Sequence, residues 1–166
     1  MKKQKGFSLI ELLIVVAIIL IIAAIAIPNL MRSRMAANES SAVGSLRTIN
    51  TAMVTYAAAY PDTGFAADLP SLGGTVAQCA PGNVATTANA CLIDSLLSVT
   101  ANKSGYTFSA AGAIVGGGTI NNTYTVTAAP QGIGTTGQRG FYSDQSGVIR
   151  YTLDGSAPTT ASSPLQ

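Results

Sequence analysis

Residues 7–27 read FSLIELLIVVAIILIIAAIAI, 21 residues whose only charge is Glu11. As a helix rising 1.5 Å per residue this run spans roughly 31 Å, the thickness of a bilayer's hydrocarbon core. Lys2, Lys3 and Lys5 precede it and Pro28 follows it. The positive-inside rule keeps such an N-terminus in the cytoplasm and delivers the rest of the chain to the outer side. A secretory signal peptide would have a shorter apolar core ending in a small-residue cleavage site. A permanent single-span anchor explains the length and the lysines, but neither Glu11 nor Gly6 just before the run. An acidic residue costs about 2.5–3.5 kcal/mol at the bilayer centre and less near an interface, so a carboxylate here implies a function and a partner.

The 48% hydrophobic content of the 166 residues is inflated by this opening. The remainder is rich in Ala, Gly, Ser and Thr. The chain has no His and no Trp, so the commonest general base and metal ligand are both missing. Its formal charge of +2 depends on the three leading lysines; without them the side chains sum to −1. No basic stripe marks a nucleic-acid partner. GAIVGGGTINN and QGIGTTGQRG lack both the Lys-Ser/Thr of a phosphate loop and dinucleotide-binding spacing, and read as loops. No catalytic residues, metal ligands or cofactor are expected. Asp144 and Asp154 are too few to supply the six to eight oxygens of a calcium site.

The combination KGFSLIELLIVVAIILIIAAIAIP resembles the N-terminus of the type IV pilins and related pseudopilins. It has a short basic leader ending in Gly6, then Phe7, Glu11 four residues on, and an unbroken apolar helix up to Pro28. The resemblance covers about the first 30 residues well and the next 30 loosely. It implies that a membrane-embedded prepilin peptidase cuts between Gly6 and Phe7 and N-methylates the new amine of Phe7. It implies further that Glu11 meets that amine, on a neighbouring subunit or within the same chain, as identical subunits form a helical filament. The implied partners are the peptidase, the inner membrane before assembly, and pilus machinery driven by a separate ATPase. The filament would serve adhesion, twitching motility or DNA uptake. A major pseudopilin of a type II secretion system is the alternative, and a single-span anchored domain of unknown activity the second. Aromatic residues on the helix (Phe7, Tyr56, Tyr60) are too sparse to favour electron conduction.

The fold class expected is α+β. One long N-terminal helix should be apolar over 7–28 and amphipathic over 29–60. Pro28 should kink it, for lack of an amide donor and by its clash with the preceding turn, or else end the membrane helix. Apolar residues at Met35, Ala42, Leu46, Ile49, Met53, Val54, Ala57 and Tyr60 predict the inward face. Asn38, Ser41, Ser45, Thr48, Thr51 and Thr55 predict the outward one. Arg32 and Arg34 fall just beyond the outer membrane surface, and Glu39 and Arg47 are expected as surface or filament contacts. Pro61, Asp62 and Gly64 stop the helix.

A loop-rich connector over 61–105 carries Cys79 and Cys91. If exported, these close a disulfide loop contributing about 3 kcal/mol; otherwise they are two buried thiols. CLIDSLLSVT suggests a short helix. GYTFSAAG, NNTYTVTAAP, RGFYSD and GVIRYTL predict about four short antiparallel strands within 106–155. Residues 156–166 are expected as a polar, mobile tail.

Overall fold

A computed structural model describes residues 8–165 of the chain. The leading lysines, Gly6 and Phe7 lie outside the described residues. Helix α1 runs Leu9–Ala59, with Pro28 inside it. The membrane-helix-ends reading of Pro28 is therefore not what is observed. The leucines and alanines of α1 favour helix. Pro28 removes the bond that its own amide would have given to Ala24 and its ring crowds that carbonyl, and the helix of 51 residues continues through it. The chain divides into two units, residues 1–34 and 35–166. In the first, the large apolar side chains are exposed all along Leu9–Ile27.

The second unit is helix on sheet. Six antiparallel strands run in sequence order: β1 (Asn102–Lys103), β2 (Tyr106–Ala113), β3 (Thr123–Pro130), β4 (Gly140–Asp144), β5 (Arg150–Thr152) and β6 (Ser163–Pro164). The four expected strands are β2–β5. The two added ones are two-residue edges, too short to show alternation in sequence. β6 corrects the expectation of a mobile tail. Ser163 and Pro164 pair with Tyr151 and Arg150, the Leu165 amide donates to the Ile149 carbonyl at 2.7 Å, and the Leu165 side chain packs against the core. One apolar residue and an available sheet edge outweighed the polar composition.

Period-two alternation makes one face of the sheet the core face. Tyr106, Phe108 and Ala110 of β2, and Tyr124, Val126 and Ala128 of β3, are buried, while the residues between them face outward or are only partly covered. They meet Ala42, Leu46, Ile49, Met53 and Tyr56 of α1 in one cluster. Those helix positions step by three and four, the spacing of a single stripe. Two expectations about the faces of this helix fail, and a third, the surface placement of Glu39, fails at its junction with Gln138 and Arg139. Val54 is 59% exposed and Ser45 only 6%. Val54 lies about 100° around the helix from Met53, and Ser45 lies beside Leu46 and Ile49 on the inner stripe. The outward Thr48, Thr51 and Thr55 satisfy their hydroxyls on the carbonyls of Gly44, Arg47 and Thr51 at 2.9–3.1 Å.

The connector is tied down at several points. Cys79 and Cys91 form a disulfide with α-carbons 5.6 Å apart. The Tyr56 hydroxyl donates to the Thr87 carbonyl at 2.7 Å, which fixes the loop to the end of α1. Asp68 caps the short helix α2 (Leu69–Leu72) by accepting from the Ser71 amide at 2.9 Å. The expected helix around Leu92–Thr100 is a single π-helical turn, Leu96–Thr100. Gly64 has φ of 76° and abuts the Asn121 backbone, where a Cβ would collide; the Phe65 amide donates to the Asn121 carbonyl at 2.9 Å beside it.

Candidate assembly interface

The candidate site is the exposed apolar helix with its one carboxylate. Among large apolar residues, Leu9 is 79% exposed, and Leu12, Leu13, Ile18, Leu20 and Ile21 are all more than half exposed. A stripe or sheet face can hide in a small core, but a helix apolar all round needs lipid or other helices.

Glu11 lies in the first turn of α1. Its Oε2 accepts from the Ser8 amide at 2.9 Å. With Leu9 as the first helical residue, Ser8 occupies the cap position and Glu11 the third helical one. Ser8-Leu9-Ile10-Glu11 is thus the Ser-x-x-Glu pattern in which the acid reaches back to the cap amide. A carboxylate here also faces the positive end of the helix dipole. The four-residue pattern is legible in the sequence alone, although the cost of a charge in an apolar run points first to an external partner. Its consequence is geometric: Glu11 is turned toward the N-terminal end of the helix. The partner assigned to it, the amine of Phe7, lies outside the described residues.

The second unit contains a polar junction that the sequence reading treated as surface. Glu39 is only 7% exposed. Its Oε1 accepts from the amides of Gln138 and Arg139 at 2.9 and 3.1 Å, and its Oε2 from Arg139 Nε at 2.7 Å. Burial alone would raise its pKa; the amides of Gln138 and Arg139 and the guanidinium outweigh that and hold it below the usual glutamate value. The Arg139 guanidinium also lies 5.7 and 5.6 Å from the ring centroids of Phe141 and Tyr151. Nearby, the Asn38 amide nitrogen donates to the Thr136 carbonyl at 2.8 Å, and Gly137 leaves no room for a Cβ beside the Tyr106 hydroxyl. This junction locks the amphipathic half of α1 to the segment entering β4. The signal for it was present: Glu39 precedes Ala42, Leu46, Ile49 and Met53 by the same three-and-four step. Arg47, by contrast, is exposed as expected.

Asp144 and Asp154 do not converge. Each accepts from the amide and hydroxyl of the serine two residues on, Ser146 and Ser156. Among the described residues no three His, Cys, Asp or Glu come together as metal ligands.

Comparison with known proteins matches up to about a third of the chain. The prokaryotic N-terminal methylation motif matches residues 1–27. Over 40 residues the chain is 60% identical to the type IV wide pilus major component PilA4 of Thermus thermophilus, covering 24% of this chain and 30% of that one. Over 54 residues it is 46% identical to the type IV major pilin protein PilA of Myxococcus xanthus, covering 32% and 24%. It is 35% identical over 54 residues to the type II secretion system core protein G of Escherichia coli, covering 32% and 37%. The chain spans between about a quarter and just over a third of the length of these curated relatives. No solved structure matches it. This chain therefore carries, on an α+β body of helix packed against antiparallel sheet, the type IV prepilin motif found at the N-terminus of pilins and pseudopilins.

Proposed function

We propose that this chain is a structural subunit of a type IV pilus and not an enzyme. The single observation that carries the proposal is the exposed apolar helix with Glu11 in its first turn, lying within the matched motif. The precursor spans the inner membrane with its lysines inside. The peptidase cuts between Gly6 and Phe7 and methylates the Phe7 amine, and the apolar half of α1 is retained because it becomes the filament core. Pro28 lies where that apolar packing gives way to the amphipathic half. The assembled filament is extracellular and homopolymeric.

Glu11 neutralises the Phe7 amine of the neighbouring subunit as each chain enters. In a low dielectric, removing one member of such a pair leaves the other buried and uncompensated, at a cost of roughly 3–5 kcal/mol. The capping geometry supports this role, since it turns the carboxylate toward the end of the helix where the amine would lie. Glu11→Ala should leave a processed, membrane-held protein that fails to form filaments. Sheared surface filaments at wild-type abundance from that variant would refute the role.

The identity with the type II secretion core protein favours a second reading, a pseudopilin confined to the envelope. The two readings share processing and helix packing, and they part on whether long filaments leave the cell surface.

A further inference from the structure

Arg32 and Arg34 are the first cations after the apolar run, and both are exposed in α1. Among the described residues neither makes an ion pair or a side-chain hydrogen bond; the ion pairs present join Lys103 to Asp94 and Arg139 to Glu39. Ile27 closes the apolar run. At 1.5 Å per residue Arg32 lies about 7–8 Å beyond Ile27 and Arg34 about 10–11 Å. The headgroup layer adds roughly 5–8 Å to each side of a hydrocarbon core, and an arginine stem lets the guanidinium reach back toward it.

Their placement around the helix is as informative as their depth. Residues two apart in an α-helix are separated by about 200°, so the two guanidiniums leave opposite sides of α1. One acidic patch on a protein partner could meet one of them. A membrane surface surrounds the helix and meets both. A planar guanidinium offers two parallel N–H donors to a phosphate, which an ammonium does not. Cations on this side also run against the charge bias that orients the span; a binding role accounts for keeping them there.

We infer that Arg32 and Arg34 form an anionic-phospholipid site, one guanidinium on each side of the helix, gripping phosphates of the outer leaflet of the inner membrane. The inference rests on the membrane-spanning precursor proposed above. With the lysines at the inner end, the site fixes the depth of the waiting subunit, and these contacts must break before the chain can leave the membrane.

The test is solid-state NMR on the full chain, arginine-labelled at Cζ, in vesicles of equal phosphatidylglycerol and phosphatidylcholine. The lysines of the leader are silent under this labelling. The phosphorus signals of the two lipids are resolved, so each contact is assigned to its source. An arginine near an anionic surface favours it by about fivefold, and the guanidinium–phosphorus contact to phosphatidylglycerol should exceed that to phosphatidylcholine by about this factor. The contact should vanish in R32Q/R34Q, which flotation should find still inserted. Equal contact with both lipids overturns the anionic site, as does a contact that survives in R32Q/R34Q or none at all in an inserted wild-type chain. A chain that does not float with the vesicles overturns the membrane-spanning reading as well.

Discussion

Replacing Glu39 by alanine should unlock the helix from the sheet, and the size of the effect can be worked from its partners. The carboxylate accepts three hydrogen bonds, two from backbone amides that have no other acceptor within the junction. Leaving a buried donor unsatisfied costs about 1–3 kcal/mol. Gln138 is exposed and Arg139 partly so, which lets water recover part of that cost. The guanidinium side chain is 36% exposed, so its Coulomb share is discounted toward that of a surface pair. The sum for Glu39→Ala is about 2–4 kcal/mol. Arg139→Ala should cost less at the junction, because the two amides still hold Glu39. Denaturant titration of the full chain in detergent, followed by near-ultraviolet circular dichroism of the buried tyrosines, measures both.

The same variant tests the sign of a pH effect. Glu39 titrates below its unfolded-state value in the fold, so its stabilisation is complete above the unfolded pKa and lost as pH falls through the folded one. Glu39→Ala should flatten the acid limb of the stability curve. A loss under about 0.5 kcal/mol, within the range of ordinary surface substitutions, would refute the locking role.

Three further outcomes are expected. Burial, with the Glu39 charge adding to it and Arg139 opposing it, pushes the Tyr106 hydroxyl up to about 12. Its contribution is therefore present below pH about 10 and lost as pH rises toward 12, by about 3 kcal/mol, and Tyr106→Phe should remove that alkaline loss in a pH-dependent denaturation series. Cys79→Ser with Cys91→Ser should cost about 3 kcal/mol by loop entropy, read as a lowered denaturation midpoint that dithiothreitol no longer shifts. Glu11→Ala should separate processing from assembly, read by comparing membrane-held and sheared protein.

The sequence was most legible where periodicity was long. The apolar run, the inner stripe of α1 and the alternation of β2 and β3 each repeat enough times to declare a face. It was least legible where a single residue decides. Two-residue edges β1 and β6 carry no period, and β6 exists because β5 offered an edge to a chain whose composition argued for mobility. The charge of Glu39 argues for the surface and its spacing for the core; two amides and a guanidinium from a segment about 100 residues away make burial tolerable, and that convergence is a property of the fold. The Ser8–Glu11 cap lay in plain view as a four-residue pattern. The disulfide followed from the export argument, since thiol pairing depends on compartment as much as on spacing.

The most direct test of the central claim is the N-terminus of the protein in the filament. Cells are sheared, the released filaments collected, and their small dominant protein analysed by mass spectrometry. The account predicts a chain that begins FSLIELL, with an N-methylated Phe7 and no trace of residues 1–6. A chain that still begins at Met1, or is cut anywhere but between Gly6 and Phe7, would contradict it.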